Sequence, residues 1–246
     1  MLRHLGKKRT FRHNVKLAIL LSLTAGFINA AGFIAFGILT TNVTGHAALF
    51  AGKVAALQWA SAQIIALWML LFLLGAFCSS LIISAIGRDR RFAYVVPVML
   101  EIVVLSTIGT LSNENASGVM VRDTCAGSLL FIMGMQNAMV SLASGAVVRT
   151  THLTGTFTDL GIELADWCKG GELRKAAIPG IKLRLSIILC FLTGALGGAM
   201  FFRQIHFPAF YIPVLLLAGM LAYDILSIPV RRKLYRLNER LPDDRK

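Results

Sequence analysis

The sequence predicts an all-α membrane protein: six transmembrane helices in two inverted three-helix repeats, each with a short re-entrant or interfacial helix. Three observations lead there. Of 246 residues, 56% are hydrophobic and only 15% charged, and the mean hydropathy of +0.70 is too high for an ordinary soluble domain. Six apolar stretches reach the roughly 20 residues that a helix needs to cross a ~30 Å hydrocarbon layer. Four short landmarks then recur, in the same order, in the two halves of the chain.

The elements follow in order. Residues 1–16 form a basic arm carrying Arg3, Lys7, Lys8, Arg9, Arg12 and Lys16. Signal peptides also begin this way, but the apolar run that follows is long and lacks a small-x-small cleavage site, so 17–38 is expected to be an uncleaved first span. Spans 61–87 and 92–111 complete the first unit, 17–111. Spans 119–145, 183–203 and 209–230 make up the second, 119–230, and a basic tail occupies 231–246. The apolar stretches 45–58 and 156–168 are too short to cross upright and are expected to be re-entrant or interfacial.

The net charge of +13 would fit a nucleic-acid binder until the basic residues are placed. With six spans and the N-terminus inside, Lys53, Arg122 and Arg203 alone fall on the outer side. That is the positive-inside pattern, and it predicts a membrane protein with both termini cytoplasmic. The tail is expected to lie on the anionic lipids of the inner leaflet, and no nucleic-acid partner is expected. Cys78, Cys125, Cys168 and Cys190 are scattered through or beside apolar segments without metal or disulfide spacing, and read as packing thiols.

The recurring landmarks carry the repeat. Gly26 to Ala30 and Gly134 to Ala138 are both Gly-x-x-Asn-Ala. Thr40-Thr41-Asn42-Val43-Thr44-Gly45 returns as Thr150-Thr151-His152-Leu153-Thr154-Gly155. Phe72-Leu73-Leu74-Gly75-Ala76 resembles Phe191-Leu192-Thr193-Gly194-Ala195, and Tyr94-Val95-Val96-Pro97 resembles Tyr211-Ile212-Pro213. Each unit holds three spans. Because three is odd, the second unit must enter the membrane from the opposite side, and inverted units of this kind support alternating access.

Threonine and glycine are poor helix formers, so each hexapeptide is expected to be an extended stretch feeding a short helix, with Thr44 or Thr154 as its N-cap. If the stretch dips into the membrane, its non-helical backbone has to be covered by protein or line a watery cavity. Two helix starts facing one another across such a hollow would favour a small anion or a carboxylate-bearing solute. The expected substrate-binding residues are therefore Asn29, Thr41, Asn42, Thr44, Gly45, Asn137, Thr151, His152, Thr154 and Gly155.

The order of Asn29-Ala30, Thr41-Asn42-Val43-Thr44-Gly45, Gly134-Met135-Gln136-Asn137-Ala138 and Thr150 to Gly155 resembles the YoaK-like family of uncharacterised bacterial multi-pass inner-membrane proteins, over roughly residues 14–230. The resemblance implies an inner-membrane protein without an established activity, and it supplies no substrate. That family often has Asp where Asn29 stands and Gly-Asn where Gly45-His46 stands here. A neutral Asn29 cannot carry a proton.

Charges at membrane depth cost on the order of 3 kcal/mol and normally have a partner or a task. Glu101, one turn after Pro97, and Asp224, in the last span, are the candidates for proton coupling. Asn29, Gln136 and Asn137 are midspan amides that either line a pocket or tie helices together. Asp159, Glu163 and Asp166 share a face of the second short helix, near His152; with Lys53 standing where the repeat places Glu163, no symmetric metal centre is expected. No phosphate-binding loop, nucleophile elbow or zinc-protease motif occurs. No enzyme activity, metal or cofactor is expected.

The leading expectation is a small-solute transporter or permease with its site at the midplane between the two Thr-Gly motifs. The alternative is a noncatalytic scaffold or accessory protein that uses the repeat for packing and forms a homodimer. A membrane-embedded enzyme built on His152, Asp159 and Glu163 comes third.

Overall fold

The computed structural model describes residues 11–88, 90, 92–111 and 118–238, with side chains for all of these except 11–14 and 225–238. Its helices are α1 (Phe11–Phe36), α2 (Val43–Ala55), α3 (Trp59–Ile86), α4 (Phe92–Gly109), α5 (Val119–Ser144), α6 (Leu153–Lys169), α7 (Gly171–Ile205) and α8 (Tyr211–Asn238). A 3-10 turn, Phe207–Phe210, leads into α8, and there is no strand among the described residues. Six helical segments are long and apolar enough to cross a membrane: Val15–Phe36, Trp59–Ile86, Phe92–Gly109, Val119–Ser144, Gly171–Ile205 and Phe207–Asp224. Most of the basic arm, residues 1–10, and the end of the basic tail, 239–246, lie outside the described residues.

These segments are helical because an apolar run in lipid has to satisfy its backbone amides within itself. The outer face of α3 shows the consequence: Leu67, Leu70, Leu73, Leu74, Phe77 and Leu81 are exposed, as lipid-facing residues are. The ends come where the backbone turns left-handed. Gly145, at φ 65°, closes α5 and returns its N–H to the Ser141 carbonyl. α7 departs from expectation. The sequence places its span at 183–203, yet the helix begins at Gly171 and takes Pro179 into its interior. Proline forfeits one backbone bond there, and α6, packed along α7, supplies the support that the lone segment lacks.

α1 and α5 occupy the centre and pack on each other, with α7 laid against α1 and α3 against α5. α2 lies on α3, α6 on α7, and α4 packs on both α5 and α8. The two main crossings are made by the glycines of the repeated landmarks. A Cβ on Gly26 would run into the Phe191 carbonyl, and one on Gly194 into the Leu23 carbonyl. On the other side, Gly134 meets the Phe72 carbonyl and Gly75 the Phe131 carbonyl. Small residues let backbones touch, and in lipid that contact supplies much of the association energy.

Candidate functional site

The Asn of each Gly-x-x-Asn-Ala holds the threonines of the motif that follows it. Asn29 Oδ1 accepts from the Thr41 amide at 3.2 Å and from the Thr41 hydroxyl at 3.0 Å. Asn137 Oδ1 accepts from the Thr151 hydroxyl at 2.5 Å. Both asparagines lie seven residues before the end of their helix, at Phe36 and Ser144, so each motif is drawn back along its own helix by about 10 Å. Thr40 and Thr150 are fully buried there. A non-helical stretch in such a place needs bonds of this kind for its free backbone groups.

The helix starts differ from expectation. Asn42, not Thr44, caps α2, its side chain accepting from the Gly45 amide at 2.9 Å. His152 takes the same place before α6 without a side-chain bond. At α2 Asn is a better cap than Thr; both helices start two residues earlier than the threonine cap would place them, which leaves Thr44 and Thr154 exposed in the first turn. The glycines are explained by the same geometry, since a Cβ at Gly45 or Gly155 would strike the Asn42 or His152 side chain.

The two motifs line separate cavities. One, of about 560 Å³, is bounded by Phe33, Phe36, Asn42, His46, Lys53 and Trp68, with Arg122 and Asp123 at its rim. The other, of about 180 Å³, is bounded by Arg149, His152, Gly155, Thr156, Asp159 and Arg184. Neither of these two cavities contains residues of both motifs. α1 packs directly on α5, where Gln136 Nε2 donates to the Leu21 carbonyl at 2.9 Å.

The smaller cavity is charged. The Arg184 guanidinium lies 3.3 Å from Asp159 and 3.9 Å from Glu163, and donates to the Val147 carbonyl at 3.0 Å. Burial raises the Glu163 carboxyl above its ordinary range; the Arg184 charge opposes this, and Asp159 adds to it. Asp166 pairs with Lys169 at 2.8 Å. The acidic face of α6 is thus answered by basic residues, and no group of three His, Cys, Asp or Glu is placed to hold a metal among the described residues.

The larger cavity is mainly apolar. His46 Nε2 is 2.8 Å from the Leu39 carbonyl, and the Trp68 ring meets the imidazole edge-on at 6.0 Å between centroids. Trp68 Nε1 donates to the Asp123 carbonyl at 3.2 Å. Arg122 pairs with its neighbour Asp123, and Lys53 donates to Gln58 Oε1 at 2.8 Å.

Away from both cavities, Glu101 is 1% exposed in α4, and its Oε1 has no hydrogen-bond partner among the described residues. Asp224 is half-buried in α8 and engaged in an interaction of its own. The residues that the sequence did not single out are His46, Trp68, Asp123 and Arg184. Arg184 carried a signal: a cation at the second position of an apolar span.

Six apolar helices with a part-buried Asn–Thr bond in each half define a multi-pass helical membrane protein. The chain belongs to the family described as "Protein of unknown function (DUF1275)", which it matches over residues 17–223. That match contains both hexapeptides and every residue named at the two cavities. No curated protein and no solved structure matches the chain, so the narrower YoaK-like resemblance rests on the motifs alone.

The Asn–Thr bonds make a direct prediction. Asn29→Leu and Asn137→Leu leave part-buried donors unpaired, and each is expected to cost about 1–2 kcal/mol. Asn29→Asp keeps the acceptor and should cost less. Thermal unfolding of the detergent-solubilised variants checks this: leucine variants as stable as the parent would mean that the bonds do not hold the motifs.

Proposed function

We propose that the protein is a noncatalytic small-solute permease of the bacterial inner membrane, with both termini cytoplasmic. Two inverted units, 17–111 and 119–230, interlock between the basic arm and tail, and the two helix pairs that they form together, α1 with α7 and α3 with α5, rock against each other. One observation carries the proposal: the same construction occurs twice, with chambers of unequal size. Each half contributes one glycine to each of the two crossings and has an Asn–Thr bond, a short helix and a cavity at that helix's start. Matching the landmarks sets Asn42 against His152, Leu49 against Asp159, Lys53 against Glu163 and Ile65 against Arg184. With the units inverted, the chambers open to opposite faces. The α2 chamber is wide, and the α6 chamber is narrow and tied by Arg184. This is what one end open and the other closed would look like.

Both short helices are re-entrant in this scheme. Thr41 turns back by about 10 Å along α1, and the 13 residues of α2 then cover about 20 Å of return. The residues expected to bind substrate divide accordingly: Asn29, Asn137, Thr41 and Thr151 shape the chambers, while Asn42, Gly45, His152 and Gly155 face the solute. Glu101, buried without a partner for Oε1, is assigned the coupling proton; Asp224, already engaged, is not.

Proteoliposomes test this. Labelled small carboxylates should exchange faster than in empty vesicles, and the Thr41→Val/Thr151→Val double variant should slow exchange about tenfold or more. Glu101→Gln should abolish accumulation driven by a pH gradient while leaving exchange at equal pH intact. If no solute in the panel moves faster than in empty vesicles, the permease proposal is wrong.

A further inference from the structure

We propose that the α6 chamber binds an oxyanion that still carries a proton, a phosphate with an O–H, its charged oxygens meeting Arg149 and the first turn of α6 and its O–H donating to Asp159. The binding claim stands by itself; calling the ion a transported solute rests on the permease proposal.

The chamber is walled by polar groups that have surface to present. Arg149, His152, Thr156, Asp159 and Arg184 line it, and most of the surface facing the space is polar. Arg149 and His152 are exposed residues, and the Asp159 side chain is 51% accessible. At about 180 Å³ the space is smaller than the roughly 300 Å³ at which sites for larger organic ligands begin. It suits an ion or a very small solute.

The groups left without partners select an anion. Arg184 is already engaged, shared by Asp159 and Glu163 and donating to the Val147 carbonyl. Arg149 forms no ion pair or hydrogen bond among the described residues, so its guanidinium is the free cation of this wall. The His152 ring makes no hydrogen bond to the start of α6, and the first turn, which reaches the wall at Gly155, has no side-chain cap, whereas Asn42 fills that place in α2. A guanidinium and uncapped amides can only donate. Oxygens that carry negative charge are their natural partners.

Asp159 decides which oxyanion fits. Its Oδ2 faces Arg184 at 3.3 Å, and its Oδ1 has no hydrogen-bond partner among the described residues. An ionised carboxylate only accepts, so it repels an oxyanion without a proton and bonds one that has a proton to give. At neutral pH inorganic phosphate keeps an O–H as monoanion and as dianion, and a phosphate monoester keeps one as its monoanion; sulfate and phosphodiesters have none. The chemistry recognised is therefore that of free phosphate or of a monoester headgroup such as phosphatidate, and it excludes the diester headgroups of ordinary phospholipids. Leu49 stands in the place of Asp159 beside α2, so the other chamber lacks this selection.

The test uses the full chain in phosphatidylcholine nanodiscs and isothermal titration at neutral pH with inorganic phosphate, sulfate and dimethyl phosphate. Phosphate is expected to bind about tenfold more tightly than either of the others, the effect of one hydrogen bond to a charged acceptor. Arg149→Leu should weaken phosphate binding by about tenfold. Asp159→Asn, whose amide donates as well as accepts, should bring sulfate level with phosphate. Sulfate as tight as phosphate in the parent, no binding of phosphate, parental affinity in Arg149→Leu, or an unchanged phosphate-to-sulfate ratio in Asp159→Asn overturns the site. If Asp159→Asn does not fold, Arg149→Leu, at an exposed position outside the helices, decides by itself. Nanodiscs containing phosphatidate, compared with discs of equal charge made with phosphatidylserine, identify the source: weaker phosphate binding in the former assigns the site to the lipid headgroup, and equal binding assigns it to the free ion, each consistent with the site. Binding without flux of labelled phosphate in vesicles would reject the permease and leave the site standing, whereas flux indifferent to both variants would reject the site and leave the permease.

Discussion

Gly26→Leu and Gly134→Leu are expected to abolish the folded protein, whereas Gly52→Ala and Gly219→Ala should leave it intact or slightly stabilised. The contrast follows from what each glycine faces. At Gly26 and Gly134 the obstacle is backbone, the carbonyls of Phe191 and Phe72. A backbone carbonyl inside a helix cannot swing away, so α7 would have to leave α1, and α3 would have to leave α5. Those two contacts hold the outer helices to the central pair, and losing either costs roughly 3 kcal/mol or more. Gly52 and Gly219 are helical too, but nothing lies within 4 Å of a Cβ placed there, and alanine is the better helix former by about 1 kcal/mol. Size-exclusion profiles in detergent, followed by thermal unfolding, separate the two outcomes. A monodisperse Gly26→Leu protein with parental stability would contradict the crossing geometry.

The same glycines show how far the sequence can be read. Gly26, Gly75, Gly134 and Gly194 stand out in it as parts of recurring strings, and the six long apolar helices lie where hydropathy puts them. Both signals are local, written in composition and spacing. The capping residues were misassigned because Thr44 and Asn42 are both credible caps, and the choice depends on where the backbone turns, which is fixed by Thr41 bonding Asn29 twelve residues earlier. His46 was passed over for a similar reason. Its meaning comes from the Leu39 carbonyl and the Trp68 ring, the second of which belongs to another helix. In the sequence Arg184 reads as one more basic residue on the inner side. Nothing local announces that Asp159 and Glu163 lie beside it, since the pairing exists only once α6 has folded back onto α7.

Arg184 is also where the two halves differ most, and changing it should have the largest functional effect. Arg184→Ile strands two carboxylates that share one cation and frees the Val147 carbonyl. Because Asp159 is half exposed, the loss is expected to be about 1–3 kcal/mol rather than the larger cost of breaking a fully buried pair. The other half has solved the same positions without a cation bridge, using Leu49, Lys53 and Ile65. The triple variant Asp159→Leu/Glu163→Lys/Arg184→Ile should therefore recover the stability that the single variant loses, while removing the tie across the α6 chamber. Its effect on access can be read with reporter cysteines in a background with the four native cysteines replaced. Thr156→Cys lines the α6 chamber and is buried, and His46→Cys is its counterpart beside α2. In the triple variant, labelling by a membrane-impermeant maleimide should rise about tenfold at position 156 and fall at position 46. The fall is the decisive half: if the α1–α7 pair rocks against the α3–α5 pair, opening one chamber must close the other, because each chamber is lined from both sides of that division. A rise at 156 with no change at 46 would mean that the chambers open independently, and alternation between them would be excluded.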